Sequence, residues 1–286
     1  IDDPDIGTVI ELINPSALMP NYRKILDRRT HVVVISEHAA DARTGQRLQG
    51  MFRQEGWDLE LSCSDPEARS NSGGAGVAVR DPRRIVLYKV QTTQYRQAML
   101  TGRTMARWVD IGAGKQLLLF CIYGATASLT NSKAKAVTEA IIAAIKCEVS
   151  KNPNTAIGIM GDWNGEPHTF GEMGDLLNAG GWTDVGEQAE QWKCQPSQPT
   201  CLANNATTMT RRDCCVLNMH ATQFVRGVAV DYSGQFAVHH VLQIHLNAGS
   251  TRPSVTTLRA HLDLRQQFDE HQKTKQKDMT DKEKRE

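Results

Sequence analysis

Short apolar runs closed by a polar residue or a turn recur along this chain and define its elements. Thr8-Val9-Ile10-Glu11-Leu12-Ile13 is rich in β-formers and is stopped by Asn14-Pro15-Ser16. His31-Val32-Val33-Val34-Ile35 reads as a buried strand ending in Ser36-Glu37-His38. Further strands are expected at Trp57 to Leu61, Ala75 to Arg80, Arg84 to Val90, Arg103 to Asp110 and Lys115 to Tyr123, the last two joined as a hairpin by Gly112-Ala113-Gly114. A run from Ala156 to Met160 leads into Gly161-Asp162-Trp163-Asn164, and Gln223 to Val230 and Phe236 to Leu246 close the body. In that last segment Val238, His240 and Leu242 alternate onto one face.

Helical spacing separates these runs. Leu18, Tyr22, Ile25 and Leu26 share one side of a helix from about Ala17 to Arg28. Asp41 is placed to cap a helix running to about Glu55. Asn131 or Ser132 begins another, to about Ser150, with Val137, Ala140, Ile141, Ala144 and Ile145 in register. A short helix is expected from Met173 to Asn178, and residues from Gly180 to Thr207 read as loop. Many strands with helices between them predict an α/β fold of two packed, mostly antiparallel sheets flanked by helices. Strand ends then share one rim. No internal repeat is visible.

Composition narrows the picture. Apolar residues make up 40% of the 286 and charged residues 23%, as in a globular body. No apolar run is long enough to span a bilayer. The formal net charge is +1, and eight Lys/Arg and seven Asp/Glu fall from position 256 onward, so body and tail are each near neutral. Bulk charge therefore gives no warrant for nucleic-acid binding. The division expected is a folded domain over 1–250 and a charged tail or linker over 251–286, helical or disordered. Seven cysteines at irregular spacing match neither a zinc site nor a disulfide framework, and point to a reduced, intracellular protein. An acidic start without Met suggests a processed product or a segment of a longer polypeptide.

Candidate chemistry collects at the ends of the apolar runs: Asn14, Glu37, Tyr123, Asp162, Asn164, Asp213 and His240. Each alone also suits a turn, a satisfied core hydroxyl, a buried histidine or a surface ion pair. Their order is more informative. A strand ending in Asn14, a second ending in Ser36-Glu37, a third ending in Tyr123, Gly161-Asp162-Trp163-Asn164, Arg211-Arg212-Asp213-Cys214 and Val238-His239-His240 follow one another. That series resembles the six motifs of the endonuclease/exonuclease/phosphatase, or DNase I-like, superfamily over roughly residues 6 to 248. Asn14-Pro15-Ser16-Ala17-Leu18 and Glu37-His38 are most similar to endonuclease domains of non-LTR retrotransposons.

The resemblance implies a DNase I-like four-layer sandwich and a divalent-metal-dependent phosphodiesterase that nicks DNA. It places Glu37 as principal ligand of Mg²⁺ or Mn²⁺, with Asn14 and His239 on the metal side. Asp162 would orient or deprotonate the attacking water, Asn164 and Tyr123 would contact the phosphate, and His240 would do so with Asp213 fixing its tautomer. The implied setting is the N-terminal part of a reverse-transcriptase polyprotein, acting on DNA in the nucleus. Three departures bear on this. Ser36 stands for the family's Gln, which predicts a looser site. Cys214 stands for Tyr, and His239 for the Asp of Ser-Asp-His, which removes a carboxylate. A copy that keeps the fold without turnover, and a phosphatase acting on inositol phosphates or lipids, are the alternatives.

Overall fold

The computed structural model describes residues 7–63, 73–81, 83–128, 130–204 and 206–249. The charged tail expected over 251–286 lies outside them. Twelve strands run in chain order: β1 (Thr8–Ile13), β2 (Val32–Ser36), β3 (Trp57–Leu61), β4 (Ala75–Arg80), β5 (Ile85–Leu87), β6 (Thr104–Gly112), β7 (Lys115–Tyr123), β8 (Ile157–Asp162), β9 (Trp182–Asp184), β10 (Asp213–Asn218), β11 (Val225–Asp231) and β12 (Val241–Leu246). Among the described residues six α-helices lie between them: α1 (Leu18–Leu26), α2 (Ala42–Gln54), α3 (Thr93–Met99), α4 (Ser132–Val149), α5 (Gly171–Asn178) and the single turn α6 (Met219–Thr222).

Two six-stranded sheets result, ordered β11-β12-β1-β2-β4-β3 and β5-β6-β7-β8-β10-β9. The two have the same plan. Each holds a central parallel pair, β1 with β2 and β7 with β8, and every other pairing is antiparallel. A parallel pair needs a crossover, and the helices α1 and α4 supply one each. A topological repeat is therefore present although the sequence carries none, because only the burial pattern has to recur.

Ile10, Leu12, Val34 and Val77 of one sheet pack against Leu117, Leu119, Met160 and Leu217 of the other. The alternate positions face outward under helices. Ile13, Val33 and Ile35 meet Leu18, Ile25, Leu48 and Phe52, while Leu118, Phe120, Ile157 and Ile159 meet Ile141 and Ile145. Strands buried on both faces read as continuous apolar runs, which is why they were conspicuous in the sequence. Asp41 Oδ1 accepts from Thr44 N at 2.7 Å to cap α2, and Asn131 Oδ1 accepts from Lys133 N at 2.9 Å to cap α4, both as expected.

The departures are local. Only Ile85–Leu87 of the Arg84–Val90 run is strand, because the chain then turns so that Tyr88 can reach Glu148. The strand β10 was absent from the sequence reading. Cys214 faces the helices and Cys215 the space between the sheets, so the two neighbours alternate as strand residues do. The closing strand begins at Val241 rather than Phe236, and the residues before it are irregular. Gly180 to Thr207, read as loop, contributes β9 and an isolated bridge through Cys201 to Thr210 and His239.

Candidate active site

Because β1 and β2 are parallel, as are β7 and β8, four C-terminal strand ends open at one rim. Asn14 and Glu37 directly follow two of those ends, and Ser36, Tyr123 and Asp162 are the last residues of β2, β7 and β8. The strand β10 is antiparallel to β8, and its first residue, Asp213, pairs in register with Asp162. Ser16, Glu37, Ala39 and Asn164 all have positive φ, between 49° and 56°, so the chain turns sharply just past three of these strand ends.

The two sheets are tied at this rim. Asn14 Nδ2 donates to Asp162 Oδ2 at 2.9 Å. Ser36 Oγ accepts from Asp162 N at 2.9 Å and donates to the Ile122 carbonyl at 3.2 Å. Gly161 fits only without a side chain, since at its φ of +145° a Cβ would lie 2.0 Å from the Ile122 carbonyl oxygen and 3.0 Å from Ser36 Oγ. Ser36 was expected to loosen the site. It instead bridges the sheets, because a short hydroxyl suits a gap this narrow.

Asp162 is buried, with Oδ1 accepting from Asn164 N at 2.8 Å. Burial and the neighbouring Asp213 charge push its carboxyl up to about 6, partly offset by His239. His239 Nδ1 bonds Asp213 Oδ2 at 2.8 Å, and its Nε2 lies 3.8 Å from Asp162 Oδ2. Burial opposes a charged imidazole, but the Asp213 charge and hydrogen bond outweigh it and push His239 up to about 11. Asp213 is fixed from behind by its N–H to Thr200 Oγ1 at 2.9 Å, and its Oδ1 is buried without a hydrogen bond.

The histidine expected at the site is thus displaced by one residue. His240, not His239, was assigned to Asp213. The structure directs His240 away: its N–H bonds the Thr200 carbonyl at 2.7 Å and its ring packs edge-on against Tyr232 at 4.9 Å. The assignment followed from setting Val238-His239-His240 against the Ser-Asp-His motif, whereas a bridge to Cys201 holds His239 at the site. One consequence follows. With His239 paired to Asp213, Val238 becomes the residue preceding the site imidazole.

Asn14, expected near the metal, is hydrogen-bonded through both ends of its amide. Its Oδ1 accepts from Ser16 N at 2.8 Å while Nδ2 holds Asp162, so it positions that carboxylate. Asn164 is engaged as well, with Nδ2 on the Gly124 carbonyl at 3.0 Å and Oδ1 facing Arg212 Nη1 at 3.4 Å. Tyr123 is buried with its hydroxyl 3.4 Å from Thr126 Oγ1; burial, then the Glu37 charge, push its phenol up, so it stays a neutral donor. Arg103 stacks over its ring at 5.1 Å.

Glu37 is half-buried, and among the described residues its carboxylate has no hydrogen-bond or ion-pair partner. Its backbone N–H is anchored on the Gly74 carbonyl at 2.7 Å. His38 beside it is buried, pushed down to about 4 and hence neutral, with Nδ1 accepting from Ala40 N at 3.1 Å. A free carboxylate next to a phenol suits a hard divalent cation that keeps several waters. One ligand atom each from Asp162, Asp213 and His239 also lies within 4.8 Å of the others, but this cluster is already internally hydrogen-bonded. Asp231, eight residues before His239, is committed to Arg28 at 2.8 Å and adds no carboxylate here.

No protein-family model matches the chain, and no curated protein is detectably similar to it in sequence. Solved structures are similar in fold. The 3′-5′ exonuclease NExo from Neisseria meningitidis superposes with a TM-score of 0.65 at 14% identity, over 84% of this chain and 100% of that one. The AP endonuclease LMAP from Leishmania major gives 0.66 at 10% identity, over 86% and 90%. The endonuclease domain of TRAS1, a telomere-specific non-LTR retrotransposon, gives 0.57 at 12%, over 84% and 98%.

The chain has the DNase I-like fold.

Within the DNase I-like fold the likeness to TRAS1 is no stronger than that to NExo or LMAP, so backbone geometry does not single out the retrotransposon domains. The sequence reading missed two residues that shape the site. Thr200 lay in a stretch taken as loop, and only its contact with Asp213 gives it significance. The resembling family's motif at Arg211-Arg212-Asp213-Cys214 reads Arg-apolar-Asp-Tyr, so Arg212 stands in its apolar place, and that mismatch was the signal. Among the described residues no helix is long and apolar enough to cross a membrane.

Proposed function

We propose that the protein is a divalent-metal-dependent phosphodiesterase that nicks DNA. The observation that carries this reading is Asp162, a buried carboxylate held by Asn14 on one side and facing the His239–Asp213 pair on the other. A carboxyl raised to about 6 is ionised at neutral pH yet basic enough to take a proton from an attacking water. His239 keeps its proton at neutral pH and offers Nε2–H toward a phosphate oxygen, with Asp213 fixing its orientation. Tyr123 supplies a second, neutral donor. Glu37 would hold Mg²⁺ or Mn²⁺, which would offset the charge of the phosphodiester.

Duplex DNA is the proposed substrate. The motif likeness supports a place in a reverse-transcriptase polyprotein acting in the nucleus. A second reading, a copy retaining the fold without turnover, is favoured by one observation: Val238 stands where the motif has its Asp. One experiment separates them. Purified protein is incubated with supercoiled plasmid in Mg²⁺ or Mn²⁺, beside Glu37→Ala and His239→Ala. Conversion to open circle that disappears in both variants supports the first reading. A parent inactive with either metal overturns it.

A further inference from the structure

Two arginines precede Asp213, and they are used differently. Arg211 is buried and bidentate on Asp184, with both Nη–Oδ distances 2.8 Å, and reaches Glu166 at 3.3 Å. Its charge is spent inside the protein. Arg212 is half-buried and, among the described residues, has no carboxylate partner. Its Nε donates to Thr210 Oγ1 at 3.2 Å and its Nη1 faces Asn164 Oδ1 at 3.4 Å. Its backbone is fixed too: the carbonyl accepts from Trp163 N at 2.9 Å and its N–H donates to Thr200 Oγ1 at 3.1 Å. A guanidinium held by neutral acceptors, with donors left over, is set to take an anion.

The Asn164 amide makes this specific. Flipping it would set its oxygen against the Gly124 carbonyl and its NH₂ against a guanidinium, so the hydrogen bonds fix the orientation. One of the two Nδ2 hydrogens expected to meet phosphate is therefore used on Gly124, and Arg212 places further donors beside Asn164. We infer that Arg212 is a substrate-phosphate ligand of this site, taking a non-bridging oxygen of the nucleic-acid phosphate that lies over Asn164. The inference rests on the proposed nuclease reading and deepens it. The resembling motif has an apolar residue here and an Asp at 238. Relative to it, this chain has gained one cation and lost one carboxylate, both changes favouring approach of a phosphate.

The test is binding without turnover. A fluorescein-labelled duplex is titrated in EDTA by anisotropy over a range of KCl concentrations, with the parent, Arg212→Leu, Arg212→Lys and the remote control Arg53→Ala. One phosphate contact contributes about 0.9 to the slope of log K against log salt, or roughly eightfold in affinity at 0.1 M. Arg212→Leu is expected to lose that slope and that affinity, Arg212→Lys to keep most of the slope, and Arg53→Ala to match the parent. An unchanged slope in Arg212→Leu, with an unchanged melting temperature, overturns the inference while leaving the nuclease reading intact. A parent with no salt-dependent binding overturns both.

Discussion

His239 and His240 differ by one position and by everything around them. One is clamped between two buried carboxylates, while the other lies against Tyr232 and, among the described residues, pairs with no acid. His239→Ala should therefore lower kcat by about 10²–10⁴, the range for a lost proton-transfer or phosphate-directed group, while His240→Ala stays within a few-fold. Equal losses in a plasmid-nicking assay would refute that assignment. The residue identities of the site were legible because strand ends carry polar residues after apolar runs. The choice between adjacent histidines was not, since it depends on a bridge to Cys201 that no local pattern announces. A pH prediction belongs to Asp162. Its folded pKa is raised to about 6, so below that pH it is protonated and cannot accept the water proton. The value of log kcat/KM should fall by one per pH unit on the acid side of about 6. A limb lying near pH 4 instead would show that another group limits the rate.

The helix α3 shows what element-level reading could not reach. Its sequence has no apolar period, and Tyr95 is its one fully buried anchor. Its start is fixed from a distance by Glu148 near the end of α4. Glu148 Oε2 accepts from Thr92 N at 2.7 Å and from the Thr92 hydroxyl, while Oε1 accepts from Tyr88 OH at 2.7 Å and Gln91 N at 2.6 Å. Burial alone would raise this carboxyl, but those hydrogen bonds outweigh it and hold it below the usual 4.5. A depressed folded pKa gives stability that is present above the unfolded value and lost as pH falls through the folded one. Glu148→Ala should cost about 1–3 kcal/mol at pH 7, since it leaves buried donors unmatched. Urea melts should show that gap shrinking as the pH falls below the usual 4.5. A gap independent of pH would mean that the loss is one of packing. The strands and the capped helices α2 and α4 were readable because their signals are local; α3 and β10 draw theirs from residues far along the chain.

At the scale of the whole molecule, two sheets with the same strand plan bring four parallel strand ends to one rim, and the chemistry depends on how those ends meet. One sheet brings Asn14, Ser36 and Glu37; the other brings Tyr123, Asp162 and Asp213. Ser36 and Asn14 lock the two together, so the distance between Glu37 and the Asp162 cluster is a property of sheet packing rather than of either loop. The remaining variable is charge. With His239 in the imidazole place, Val238 stands where the motif has Asp, and Glu37 is a carboxylate at the rim with no partner among the described residues. A hard cation bound by one carboxylate leans on water and on substrate phosphate, so its hold is weak until substrate arrives. Val238→Asp should then lower the Mg²⁺ concentration for half-maximal nicking by about tenfold or more, the scale that groups supporting a metal site carry. His239→Asp, the change that the motif alignment alone would suggest, should abolish nicking, because it removes the imidazole from Asp213 and adds a third acid to a buried cluster. Improvement in His239→Asp with no change in Val238→Asp would return the motif to its original register and overturn this account of the site.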